Sequence, residues 1–130
     1  MHLGTPDYLP VIARAILKAR MDRHGGDLMR LVLAVTLLQR DVVKSLATEI
    51  ATEPRLVRPL AEGRDELNSS LPERFFVLQD ALRLRAKDLA GAAQRKDDVG
   101  LAQSFSQLTE ICVACHSTYL TADARAPARP

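Results

Sequence analysis

The two cysteines of this 130-residue chain, Cys112 and Cys115, are separated by only two residues. A pair this close cannot cross-link distant parts of a fold, so no disulfide framework holds the chain together. The chain must therefore be stabilised by a hydrophobic core, and apolar residues make up 47% of the sequence. Its length is enough for one such core and too short for two.

We predict a single domain over residues 1–121 and a flexible C-terminal tail over residues 122–130, which is rich in Ala, Arg and Pro. The net charge is +2, with acidic and basic residues interspersed and no Trp, so we expect no nucleic acid partner. We also expect no membrane span, because no apolar run reaches the roughly 18 residues that a span requires. The first 20 residues lack a basic start and are interrupted by Arg14, unlike a secretory signal.

Residues with high helix propensity dominate the chain, and alternation with period two is scarce. We expect the first helix to begin near residues 5–7. Its apolar stripe advances in steps of three and four residues through Leu17, Met21, His24, Leu28, Leu31, Val35 and Leu38. Gly25 and Gly26 interrupt this stripe, which predicts either a kink or the close approach of a bulky group to the backbone.

The second helix is predicted to begin with Asp41 as its cap and to end at Glu53, because the residue before Pro54 resists helical geometry. Its buried face is expected to consist of Val43, Leu46, Ala47 and Ile50. Prolines and a glycine over residues 54–69 predict a long connection.

The third helix is predicted to open with a capping box from Ser70 to Glu73, and its apolar stripe is Phe75, Leu78, Leu82, Ala86, Leu89 and Ala93. Asp97 and Asp98 separate it from the fourth helix and can cap that helix. The fourth stripe is Leu101, Phe105, Leu108, Cys112, Cys115 and Tyr119. Four amphipathic helices predict an all-α fold, an antiparallel four-helix bundle, and the core of such a bundle is where facing helices place cofactors.

Residues 112–116 read Cys-Val-Ala-Cys-His, which is the attachment pattern of c-type haem. On a helix, positions i and i+3 lie on one side, about 5–6 Å apart, so the thiols of Cys112 and Cys115 can each form a thioether with one haem vinyl group. His116 then supplies a neutral imidazole as the proximal iron ligand. We therefore predict one haem c per chain.

Other interpretations of the motif remain open on the residues alone. The cysteines can be two buried thiols beside an unrelated histidine. A dithiol redox pair usually occurs in a βαβ context, which the sequence lacks. A zinc site needs a fourth ligand, and only His24 or His2 offers a further nitrogen.

A Cys-x-x-Cys-His motif on the last helix of a bundle resembles that of class II c-type cytochromes, the cytochrome c-prime group and its low-spin, Met-ligated relatives. The likeness covers residues 8–120 and includes the family's His-x-x-Tyr, from His116 to Tyr119. The Met-ligated branch carries Met-x-x-Asn-Gly-x-x-x-Met on the first helix, and residues 21–29 are similar to it. The resemblance implies that Met21 is the distal iron ligand. The basic residue that commonly follows the tyrosine is replaced by Leu120.

Three alternatives exist at the sixth position of the iron. His24 lies one turn beyond Met21 on the same stripe, Met29 lies off the stripe, and the iron can also be open and five-coordinate. The haem propionates favour cationic partners. The first helix carries three arginines of this kind, Arg14, Arg20 and Arg23. We assign none of them to a site.

A haem with two protein ligands has no vacant site for a substrate, so we expect an electron carrier and not an enzyme. The expected partners are redox proteins that meet it over a small, transient contact. The resemblance implies a periplasmic location and allows a homodimer through the first two helices. The alternative function is a five-coordinate protein similar to cytochrome c-prime that binds NO or CO, and residue 21 distinguishes the two.

Overall fold

The computed structural model describes residues 11–54 and 71–119. Within these ranges the chain is all-helical and contains no strand, which confirms the predicted all-α class. The helices are α1 (Val11–Thr36), α2 (Arg40–Thr52), α3 (Glu73–Gln94) and α4 (Asp98–Tyr119). The predicted helix start at residues 5–7, the connection from residue 55 onward and the tail at residues 122–130 lie outside the described residues. In the described ranges, no helix has the length and apolar character needed to cross a membrane.

Two three-residue turns, 37–39 and 95–97, connect the helices into two hairpins. In each turn the middle residue has a left-handed backbone, with φ of 54° at Leu38 and 56° at Lys96. The N–H of the following residue donates to the carbonyl five residues earlier, at 2.8 Å in the first turn and 3.0 Å in the second. Both helices thus end in Schellman motifs, which normally place glycine at the left-handed position.

An ion pair joins the starts of α2 and α4. The Nε and Nη2 atoms of Arg40 donate to the two carboxylate oxygens of Asp98 at 2.9 and 2.8 Å. Because each residue directly follows one of the short turns, the pair places the two turns side by side. We call this end of the bundle the turn end.

The core lies between the helices, with α2 packed extensively on α3 and α3 on α4. Its completely or almost completely buried members are Leu31, Ala34, Val43, Leu46, Ala47, Ala86, Leu89, Ala92, Leu101 and Leu108. The predicted buried face of α2 is confirmed, as are the stripes of α3 and of α4 up to Leu108. Phe76, which is also buried, was not predicted.

Two of the predicted helix starts are wrong. Gln39, not Asp41, occupies the N-cap position of α2, and Asp41 lies in the first turn. Pro72 occupies the N-cap position of α3 without a side-chain hydrogen bond, and the predicted cap Ser70 lies outside the described residues. The prediction for α4 is confirmed at Asp97, whose Oδ1 accepts the N–H of Gly100 at 2.9 Å.

Helix α1 runs without interruption through Gly25 and Gly26. In its C-terminal half, Leu31 and Ala34 are buried in the core. Leu38 lies beyond the end of the helix and is 44% exposed, so the prediction that it belongs to the apolar stripe is wrong. Helix α1 packs on α2 and has few contacts with α4. This looser pairing leaves space inside the bundle away from the turn end.

Candidate functional site

A cavity opens between the helices at the end opposite the turns, which we call the cavity end. It has a volume of about 200 Å³ and opens to solvent at its mouth. Its apolar walls are formed by Leu28, Ile50, Phe75, Leu78, Leu82, Leu108 and Ile111.

The functional groups predicted from the sequence all line this cavity. Helix α4 contributes Cys112, Cys115 and His116, and helix α1 contributes Met21 and His24. The structure thus brings together residues from opposite ends of the sequence. Gly25 also lines the cavity, and a Cβ atom there would meet no atom within 4 Å. The missing side chain therefore leaves the cavity wall open, and the chain's own packing does not require it.

A histidine and a methionine approach each other across the cavity. The Nε2 atom of His116 lies 3.5 Å from the Sδ atom of Met21. The two residues are 95 positions apart in the chain. Met29, in contrast, is 77% exposed and does not line the cavity. Of the two thioethers considered for iron ligation, only that of Met21 faces His116.

Cys112 and Cys115 are free thiols, and both are partly buried. Burial raises the pKa of both thiols, and for Cys115 the neighbouring Cys112 adds to this effect, so that its pKa is about 11. Both groups are therefore protonated at neutral pH. A dithiol redox pair reacts through a thiolate with a lowered pKa, so this environment does not favour the redox interpretation of the motif.

His116 has the opposite shift for the same main reason. Burial lowers its pKa, and the positive charge that nearby His24 can carry lowers it further. The imidazole is consequently neutral at neutral pH, with a ring nitrogen available to a metal. The effect of His24 also shows that the two imidazoles lie close enough to interact.

Arg20 is a buried cation on the cavity wall, with only 8% of its surface exposed. Its Nη1 donates to Oε1 of Gln79 at 2.6 Å, and its Nη2 donates to the carbonyl oxygen of Pro54. Its Nε lies 3.3 Å from Oε1 of Glu53. Burial lowers the pKa of Arg20, and Glu53 opposes this shift. The guanidinium group thus links α1 to α3 and to the chain just after α2.

His24 contacts the same carboxylate. Its Nε2 atom lies 2.6 Å from Oε1 of Glu53, and the side chains are only 14% and 17% exposed. The imidazole therefore has a partner in the protein, although it also lines the cavity. Together, Arg20, His24, Glu53 and Gln79 form what we call the wall cluster.

The sequence did not predict the wall cluster. Arg20 and His24 were noted individually, Glu53 was named only as the end of the second helix, and Gln79 was not named. The partners lie 59 residues apart for Arg20 and Gln79 and 29 apart for His24 and Glu53. No local pattern in a sequence indicates pairs at such separations.

Within the described ranges, no three His, Cys, Asp or Glu side chains form a group that can hold a metal ion. The side chain of Tyr119, the last residue of the α4 stripe, lies outside the part that the structure describes, as does His2. Comparison of the chain with known protein families, with curated proteins and with solved structures gives no match.

Proposed function

We propose that this protein is an electron-transfer c-type cytochrome of class II, with one haem c in the cavity. Cys112 and Cys115 would hold the haem covalently, and His116 and Met21 would bind its iron. One observation carries the proposal: Nε2 of His116 and Sδ of Met21 lie 3.5 Å apart across a cavity that both cysteines line.

The thiols suit covalent attachment. Cys112 and Cys115 lie one turn apart on α4 and face the same cavity. In thioether formation, each sulfur bonds to one carbon of a vinyl group and its hydrogen goes to the other carbon, so no oxidant is needed. Burial keeps both thiols protonated. The two thioether bonds would be covalent, so they would hold the haem even in the unfolded chain.

His116 and Met21 would supply the two protein ligands of the iron, through the Nε2 and Sδ atoms that lie 3.5 Å apart. They come from α4 and α1, which have few contacts with each other. A neutral imidazole and a soft thioether are a ligand pair of cytochromes c.

The apolar walls supply the rest of the environment. Side chains such as Leu78, Leu82 and Ile111 line the cavity together with the ligand atoms and give it an apolar wall. When bound, the haem would supply a reversible one-electron change at its iron, and a methionine ligand would raise its reduction potential. We further propose that the protein works in the periplasm with redox proteins as partners.

The contact of Met21 with His116 also favours electron transfer over gas binding. An iron that binds NO or CO readily needs a vacant distal position. Here the Met21 thioether already faces the proximal imidazole.

The visible absorption spectrum of the haem-loaded protein tests the proposal. We expect low-spin iron in the wild type and high-spin iron after Met21→Ala, because the sixth ligand is lost. Met29→Ala is the matched control: this exposed methionine on the same helix should leave the spectrum unchanged. A high-spin wild type, or a wild type that binds CO without displacing a ligand, would show that Met21 is not bound.

A further inference from the structure

The wall cluster places a second potential iron ligand beside Met21. His24 lies three residues beyond Met21 on α1, close to one helical turn, and lines the same cavity. Imidazole is itself a common axial ligand of haem iron. Two side chains of different chemistry are therefore available on one face of the cavity.

Glu53 engages the ring nitrogen that His24 would use. The distance of 2.6 Å between Nε2 and Oε1 is shorter than that of an ordinary N–H···O hydrogen bond, as expected for a charge-assisted one. The two side chains are largely sheltered from water, where such hydrogen bonds are stronger than at the surface. Ligation of iron through Nε2 would require this bond to break.

Glu53 is itself held in place. The same Oε1 atom lies 3.3 Å from Nε of Arg20, and Arg20 is buried and bonded to Gln79 and to the carbonyl of Pro54. Glu53 lies just beyond the last residue of α2, before Pro54. The carboxylate therefore sits on a rigid support outside α1 and retains His24 from there.

We propose that Glu53 is a positioning residue that holds His24 away from the iron and so leaves the sixth position to Met21. This inference rests on the proposed haem site. Because methionine ligation raises the reduction potential of a haem, the carboxylate would keep the potential higher than His24 ligation would give. Glu53 would act through His24, without touching the haem.

The experiment uses a Met21→Ala background, in which the sixth position is open to any competing ligand. With Glu53 intact, we expect the haem-loaded Met21→Ala protein to be high-spin. Met21→Ala/Glu53→Ala should be low-spin, with electron paramagnetic resonance parameters of two nitrogen ligands and a lower reduction potential than the wild type. Adding His24→Ala should return the iron to the high-spin state, which assigns the new ligand to His24.

Met21→Ala/Glu53→Gln is the matched control. Glutamine keeps an acceptor oxygen for Nε2 of His24, so this protein should remain high-spin. It also preserves a hydrogen-bond partner for Arg20, so a low-spin state seen with Glu53→Ala and not with Glu53→Gln assigns the change to the lost hydrogen bond of His24. Circular dichroism of each variant reports whether the helices are retained.

Two results overturn the inference alone. A low-spin Met21→Ala protein with His24 as ligand would show that Glu53 does not restrain this histidine. A folded Met21→Ala/Glu53→Ala protein that stays high-spin would show that His24 cannot reach the iron. A wild-type chain that carries no covalent haem would overturn both the inference and the proposed function, and its colourless, unmodified state distinguishes this case.

Discussion

Apolar side chains, most of them leucines, line both ends of this bundle, but they fill the interior at one end and surround a cavity at the other. At the turn end, Leu31, Val43, Leu89 and Leu101 are at most 1% exposed and fill the interior. At the cavity end, Leu28, Leu78, Leu82 and Ile111 line a cavity of about 200 Å³ that opens to solvent. Atoms that face a void lose their dispersion contacts, so the apolar residues at this end stabilise the fold less than those at the turn end.

The difference between the two ends follows from how α1 packs against the other helices. Near the turn end this helix buries Leu31 and Ala34 in the core, and the short turn at residues 37–39 holds it against α2. Toward its N-terminal half it faces α4 across the cavity, and Met21, His24 and Gly25 line the cavity there together with Leu28. The stability of the fold thus comes mainly from the turn end, and the chemistry is concentrated at the cavity end.

The largest expected effect compares two leucines on α3. Leu89→Ala, at a position with no exposed surface, should lower the free energy of unfolding by about 3–4 kcal/mol, because it creates a new void in a filled core. Leu82→Ala, on the cavity wall, should cost less than about 2 kcal/mol because part of this side chain already faces open space. Urea denaturation in a Cys112→Ala/Cys115→Ala background, which holds no covalent haem, measures both.

Haem loading sharpens this comparison. With the cavity filled, the cost of Leu82→Ala should rise toward that of Leu89→Ala, since the truncated side chain then leaves a void against the cofactor. Equal costs at the two positions in the haem-free background would contradict the contrast between the two ends.

A smaller effect is expected in the second turn. Lys96 has φ of 56°, where a residue with a Cβ atom is strained by about 1–2 kcal/mol. Glycine relieves this strain, but it makes the unfolded chain more flexible, which offsets part of the stabilisation. Lys96→Gly should therefore raise the free energy of unfolding by about 0.5–1 kcal/mol. The control is Ala102→Gly on the exposed side of α4, which should destabilise by about 1 kcal/mol. Destabilisation by both changes would show that Lys96 is not strained.

The smallest effect concerns the ion pair at the turn end. The hydrogen bond from Arg40 lowers the pKa of Asp98, so the unfolded chain binds a proton more readily at this carboxylate than the folded one. The resulting stabilisation is present above the ordinary aspartate pKa of about 3.9 and is lost as the pH falls through the lowered folded value. Melting temperatures of the wild type and Arg40→Gln should therefore differ slightly near neutral pH and converge in acid. A difference that persists in acid would exclude this origin.

Local patterns in the sequence predicted the helices well. The period of apolar residues placed the faces of α2 and α3 correctly, and Asp97 caps α4 as expected. Each of these features depends on residues within one or two turns of each other. The same locality explains the error at Leu38, because the turn there uses a left-handed leucine and carries no glycine to mark it.

The candidate site was predictable only in part. The Cys-x-x-Cys-His spacing identified Cys112, Cys115 and His116 as a unit, and the resemblance proposed Met21 as their counterpart. The approach of Met21 to His116 and the bond between His24 and Glu53 join distant parts of the chain, and no periodicity encodes such pairs. The structure therefore adds an observation that distinguishes the two candidate ligands: His24 is hydrogen-bonded to Glu53, whereas Met21 faces His116.

The intact mass of the denatured protein tests the central claim most directly. The full chain is expressed in a bacterium that has the apparatus for c-type haem attachment, then unfolded, treated with a thiol-alkylating reagent and weighed. The account predicts the mass of the chain plus one haem and no alkylated cysteine, and Cys112→Ala/Cys115→Ala should show the mass of its own chain alone. A wild-type mass of the chain plus two alkyl groups, with no haem, would contradict the account.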